Sequence, residues 1–284
     1  MIGVIDVGGG SRGAYGAGVL DWCLDNGVKF DYAIGVSAGS ANITSYAAGQ
    51  RGRCHKFYTD YFMRWQYMSF RNMLKTGNYI GLDYIYSTLS NDDGEYPVDW
   101  DTLAANPMEM ITVATNALTG EPKYFDKSAV SRNNYHPMKG SSCVPVANRP
   151  YVIDGVPYYD GGISDPVPIK KALADGCDKV LLILTRPRDF RRISKKDGYM
   201  AKLMRKYPAA AAGLVSRAET YNASLDYAEK LAAEGKVIIL APDSIGKMKT
   251  LTKDPAAIQR LYDCGYNDAA AAASELLKMN AERK

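Results

Sequence analysis

Asp31-Tyr32-Ala33-Ile34-Gly35-Val36-Ser37-Ala38-Gly39-Ser40 is a short apolar run that ends at a serine set between glycines, with a helix-compatible stretch directly behind it. Gly35-x-Ser37-x-Gly39 between a strand and a helix is the pattern of a nucleophile elbow. A serine hydroxyl attacks a carbonyl well only where it stands clear of the sheet on a sharp turn. Side chains two residues either way would crowd that turn, and glycine removes them. The first turn of the following helix also aims its positive dipole end at charge developing near the serine. The same five residues describe a glycine-bounded turn with a serine N-cap, so the choice between the two rests on the rest of the chain.

Upstream, Ile2–Val7 has the character of a buried parallel strand, breaks into Gly8-Gly9-Gly10-Ser11-Arg12-Gly13, and leads into a helix over Ala14–Asn26 closed by Gly27. Two successive strand–helix units imply a right-handed parallel crossover, and Gly13, Gly16 and Gly18 imply close packing of that helix on the sheet. Downstream, Glu109–Thr115 is a strand with Pro122–Phe125 as its hairpin partner. Tyr151–Ile153 and Val156–Tyr159 form a second hairpin about Asp154-Gly155, which delivers Asp160-Gly161-Gly162. Ser141-Ser142-Cys143-Val144-Pro145 has the form of a helix start broken by proline. Lys179–Leu184 and Lys236–Ala241 add strands. Ser164–Ala174, a segment ending near Glu234, and Asp254–Lys278 with a break at Gly265 add helices. The alternation predicts a three-layer α/β/α fold with a mostly parallel central sheet.

Phe57–Leu89 stands apart: Phe57, Tyr58, Tyr61, Phe62, Trp65, Tyr67, Phe70, Tyr79, Tyr84 and Tyr86 all fall within it. Helical spacing over Phe57–Trp65 favours an amphipathic helix packed on the core. The competing role is a lining for an acyl-chain pocket, to which Met63, Met68 and Met73 would add adaptable apolar surface.

The chain has 284 residues, 46% apolar and 23% charged, enough for a sizeable core in an ordinary globular protein. A net charge of +4 over this length gives no case for a nucleic-acid partner. Cys23, Cys54, Cys143, Cys177 and Cys264 form no C-x-x-C pair and suggest reduced thiols. Met1 runs straight into a strand without a basic, cleavable leader, and no apolar run approaches membrane-spanning length. A cytoplasmic location is the expectation. Peripheral contact with anionic membrane is a further expectation for the basic, partly apolar stretch Arg186–Lys206.

Gly8–Gly13 also matches G-x-G-x-x-G, so nucleotide binding is a rival. That fingerprint needs an acid at the end of the second strand to hold ribose, and here Val36-Ser37 stands there, with Asp31 at the strand's beginning. No Gly-Lys-Ser/Thr follows, so it is not a Walker loop. Glycines at the top of a strand can instead turn N–H groups toward one point, at the sheet edge where Ser37 ends the adjacent strand. A serine needs a base. The only histidines are His55 and His136, and neither sits in the chain order of a Ser-Asp-His triad. Asp160, ending a hairpin and followed by two glycines, is the best-placed carboxylate, although Asp-Gly-Gly alone is an ordinary turn.

In order and spacing, Gly8–Gly13, Gly35–Gly39 and Asp160–Gly162 resemble the patatin-like phospholipase family, as does the small-residue segment Ser141–Pro145. The resemblance covers roughly residues 1–185, a catalytic core, and leaves 186–284 as a C-terminal segment packed on the same domain. It implies a Ser–Asp dyad hydrolase of lipid acyl esters, phospholipid or lysophospholipid, with no metal and no cofactor. By it Ser37 is the nucleophile, Asp160 the base, and Gly8, Gly9 and Gly10 the oxyanion donors. Arg12 would meet a phosphate head group or be a plain surface cation. The alternatives are a non-catalytic lipid- or acyl-binding protein of the same fold, or nucleotide binding through Gly8–Gly13.

Overall fold

The computed structural model describes residues 1–283. Its strands are β1 (Ile2–Asp6), β2 (Tyr32–Val36), β3 (Glu109–Asn116), β4 (Pro122–Phe125), β5 (Tyr151–Ile153), β6 (Val156–Asp160), β7 (Lys179–Ile183) and β8 (Val237–Leu240). Five of them run parallel in the order β8-β7-β1-β2-β3, while β4 and the β5–β6 hairpin join β3 antiparallel. The central strands are buried on both faces, as parallel strands between helical layers must be. Alternation along each strand divides the core. Val4, Ala33 and Leu181 face one layer, with α1 (Ala14–Asp25), α2 (Ala38–Ala47) and the helix Pro255–Ala271. Ile5, Ile34 and Leu182 face the other, with the helices Ile169–Ala174 and Pro208–Ala233.

The register of β3 decides where the chemistry can sit. Thr112 and Val113 pair with both β2 and β4, and Ala114 and Thr115 pair with both β4 and β6. Since β4 holds one edge of β3 throughout, β2 and β6 must share the other. They run toward each other along it: β2 stops at Val36 opposite Val113, and β6 stops at Asp160 opposite Ala114. Two strand ends far apart in sequence thus meet head to head.

Several expectations need correction. Ser141 closes a helix, His136–Ser141, which Pro137 opens at the position proline favours, rather than starting one. The C-terminal helices break at Ala272, not Gly265. Gly265 lies inside Pro255–Ala271 at its crossing with α1, where a Cβ would overlap the Tyr15 carbonyl. A Cβ on Gly18 would likewise overlap the Tyr262 carbonyl. Gly18 therefore serves a helix–helix contact and not the sheet, whereas Gly16 lies on Asp6 of β1 as expected. Phe57–Trp65 is not one amphipathic helix: it holds the end of a short helix, Arg53–Thr59, and a 3-10 turn, Tyr61–Met63.

Candidate active site

Ser37 occupies the turn between β2 and α2 with φ 55° and ψ −128°, a strained conformation for a residue with a side chain. The flanking glycines are needed sterically: a Cβ on Gly35 would strike the Ser40 backbone, and one on Gly39 the Asp6 carbonyl. The Ser37 N–H donates to Ser141 Oγ at 2.8 Å, and Ser40 Oγ donates to the Ser37 carbonyl at 2.6 Å. The turn is therefore fixed from both sides while the hydroxyl is left for other work.

That hydroxyl faces the Asp160 carboxylate, which the head-to-head strand ends bring beside it and whose charged form it favours. Asp160 also accepts the Gly162 N–H at 2.8 Å, and its own backbone is held by the Cys143 carbonyl at 2.8 Å and by Thr115 Oγ1 at 2.8 Å. Burial raises its pKa from 3.8 to about 6, partly offset by the neighbouring Ser37 hydroxyl, the Gly162 hydrogen bond and the charge of Arg192. A second carboxylate went unremarked in the sequence. Asp6, at the end of β1, is fully buried and pushed by desolvation to about 6. It accepts the Gly8 N–H at 2.8 Å and Asn42 Nδ2 at 2.8 Å, which ties the glycine loop to α2. An acid closing an otherwise apolar strand, Ile5-Asp6-Val7, was the available signal.

The Gly8 N–H is thus taken, which corrects its expected place among the oxyanion donors. Among the described residues no hydrogen bond engages the N–H of Gly9 or Gly10. All three glycines have positive φ, at 62°, 124° and 62°, and a Cβ on Gly8 would strike the Val36 carbonyl and the first amides of α2. Later parts of the chain hold the loop in place. Thr185, after β7, donates to the Gly8 carbonyl. Ser11 N–H meets the Thr250 carbonyl at 2.8 Å, and Ser11 Oγ meets that of Lys249 at 2.9 Å.

Arg12 is not a surface cation. It is 5% exposed, packs against Gly9, and its Nε finds no acceptor. Burial first, then the charges of Arg186 and Arg192, lower its pKa to about 9. Among the described residues no carboxylate pairs with Arg12 or with Arg186, whose guanidinium lies 4.3 Å from the Phe190 ring centroid. Arg192 is paired with Asp197 at 3.0 Å.

Ser37 opens into a mainly apolar cavity whose walls include Phe57, Tyr58, Tyr67, Ile80, Leu82 and Tyr86. The aromatic segment therefore does line a pocket while also packing on the core, whereas Met63, Met68 and Met73 are not among the lining residues. Arg53, at the same cavity, spends its charge on the Tyr96 and Pro97 carbonyls at 2.7 Å. The histidines lie elsewhere: His136 pairs with the Tyr151 hydroxyl at 2.6 Å and His55 with Gln259 at 2.8 Å. Among the described residues no group of three or more His, Cys, Asp or Glu is placed to hold a metal ion.

The basic stretch is partly neutralised. Arg188 pairs with Glu229, and Arg191 with Asp226. Phe190, Met204 and Tyr207 turn inward, leaving Ile193, Tyr199 and Leu203 exposed beside Lys195, Lys196 and Lys202. Among the described residues no helix is long and apolar enough to cross a membrane.

A layered, mostly parallel sheet with a serine on a strained strand–helix elbow and a half-buried carboxylate against it defines an α/β protein of the acyl-hydrolase type of architecture. Residues 7–173 match the model of the patatin-like phospholipase family, and the chain belongs to that family. Residues 207–280 match a second model, a domain of unknown function, DUF6363. The chain is 29% identical over 191 residues to the uncharacterized protein YjjU of Escherichia coli K12, a match that covers 66% of this chain and about half, 52%, of that relative's length. The crystal structure of VipD from Legionella pneumophila superposes with a TM-score of 0.50 and 15% identity, over 98% of this chain and 67% of that one, a likeness of fold.

Proposed function

We propose that the protein is a serine acyl hydrolase that cleaves fatty-acyl esters of phospholipid or lysophospholipid with Ser37 and Asp160 as a dyad. The observation that carries this reading is the meeting of the β2 and β6 ends, which sets Ser37, on its strained elbow at an apolar cavity, against Asp160. Asp160 takes the hydroxyl proton as Ser37 Oγ attacks the ester carbonyl carbon. The tetrahedral oxyanion meets the N–H groups of Gly9 and Gly10, each such donor being worth about 3–4 kcal/mol in the transition state. Collapse breaks the bond to the lipid alcohol, which leaves with the proton from Asp160. Water then gives a proton to Asp160 and its oxygen to the acyl carbon, freeing the fatty acid and restoring Ser37. The acyl chain lies along the aromatic wall, and a phosphate head group is received by Arg12 and Arg186, cations without carboxylate partners. Peripheral contact with anionic membrane falls to Lys195, Lys196 and Lys202 with Ile193, Tyr199 and Leu203 between them.

The test is labelling with a fluorophosphonate ester, followed by a panel of defined lipids. Ser37 is expected to carry the label, Ser37→Ala and Asp160→Asn to lose hydrolysis, and His136→Ala to keep it. A folded protein that binds lipid without labelling or turnover would instead be a lipid-binding member of the fold.

A further inference from the structure

The segment 64–82 is a stem, buried at Tyr67, Met68, Ile80 and Leu82, that carries a helix without a buried residue. Its two legs are hydrogen-bonded to each other: Ser69 N–H to the Tyr79 carbonyl at 3.2 Å, and Gly81 N–H to the Tyr67 carbonyl at 2.6 Å, about the bridge between Met68 and Ile80. Tyr79 N–H ties one leg to the Ala147 carbonyl at 2.7 Å. From the C-terminal part of the chain, the Lys253 ammonium donates to the Met68 and Arg64 carbonyls at 2.9 and 3.2 Å. The stem is thus a fixed support and not a floppy loop.

At its base the stem faces the cavity, where Tyr67, Ile80 and Leu82 form part of the wall. At its tip is the helix Phe70–Thr76, capped by Ser69 and stopped at Gly77, with no buried residue. There Phe70 is 78% and Leu74 88% exposed, and Trp65 beside them is 46% exposed. Apolar side chains this open, on a rigid tip, are not explained by packing. The helix itself carries Arg71 and Lys75, neither of which has a carboxylate partner among the described residues, and no aspartate or glutamate falls within 64–82; Arg64, at the start of the stem, is neutralised by Glu95. An apolar tip with two unpaired cations is complementary to an anionic lipid surface.

We infer that the 64–82 stem and helix is a wedge that enters an anionic bilayer through Phe70 and Leu74 and delivers acyl chains along its base into the Ser37 cavity. This rests on the acyl-hydrolase reading only for its second clause. It is separate from the Lys195–Leu203 surface, which follows β7.

The experiment is sedimentation with vesicles of phosphatidylglycerol and phosphatidylcholine, and of phosphatidylcholine alone, in a Ser37→Ala background so that no hydrolysis is needed. A Phe70→Ser/Leu74→Ser double variant is expected to lose roughly tenfold or more in partitioning. Arg71→Glu/Lys75→Glu should lose binding to the anionic vesicles only. Trp65 emission should shift to the blue when the parent binds and not when the double variant does. With Ser37 intact, the double variant should hydrolyse a short water-soluble ester at the parent rate. Parent-like vesicle binding by the double variant overturns the wedge, as does a loss traced by ultracentrifugation to a dimer held by this face. A chain that shows the Phe70/Leu74 dependence but cleaves no ester keeps the wedge and loses the hydrolase reading.

Discussion

Asp160 has two demands made on it by one environment. In the proposed mechanism its carboxylate must be ionised to take the Ser37 proton, yet burial favours the neutral acid and raises its pKa to about 6. The kcat/KM for a neutral soluble ester should therefore rise with pH through about 6 and level above it. A profile flat from pH 5 to 8 would contradict Asp160 as the base. The linkage sign is fixed by the same shift. A carboxyl whose folded pKa lies above its unfolded 3.8 binds more protons when folded, so stability is lost as pH rises from about 4 to about 6. The shift corresponds to at most about 3 kcal/mol. Asp160→Asn should thus be inactive yet gain stability over the parent at pH 7.5, an advantage absent at pH 4, as urea unfolding at the two pH values would report.

At the scale of elements, the elbow and the glycine loop were legible in the sequence because steric need prints itself as glycine: Gly35, Gly39 and Gly8 are each hemmed in by backbone. Asp160 was legible as the end of a hairpin, but its meeting with Ser37 was not, since it depends on β2 and β6 sharing one edge of β3. The roles of Asp6 and Ser141 were not legible for a related reason. Asp6 ties the glycine loop to α2 through Asn42, and Ser141 accepts the Ser37 N–H from 104 residues away, and such bonds leave no periodicity. Gly265 was noticed but given the wrong role, because a glycine that ends a helix and one that admits a neighbour look alike in sequence. The distinction can be measured. Gly265→Val should cost about 1–3 kcal/mol or more through overlap with α1 at Tyr15. Gly198→Ala, in the open face of the helix Lys195–Ala201, should be neutral or gain about 0.5–1 kcal/mol.

For the whole molecule, the strand ends on one side of the sheet gather everything the chemistry uses. Gly8–Gly10 follow β1, Ser37 follows β2, the basic stretch follows β7, and Thr250 follows β8. This is the edge where ligands meet parallel sheets. Charge reversal at Lys195, Lys196 and Lys202 should weaken sedimentation with anionic vesicles, most at low salt, and leave short-ester hydrolysis intact. Arg191 and Arg192 are poor choices for that experiment, because each already holds an aspartate of the protein. Unchanged sedimentation would leave this surface merely solvated.

The clasp on Ser11 has a consequence in time. Its hydroxyl reaches a carbonyl 238 residues along the chain, and its N–H the next one, so the glycine loop takes its final form only after Thr250 has been made. A growing chain would carry Ser37 and Asp160 long before the glycine loop is finished, and the proposed hydrolase would stay silent until then. Ribosome-bound chains with the C-terminal residues still in the exit tunnel should accept no fluorophosphonate label, and should accept it on release.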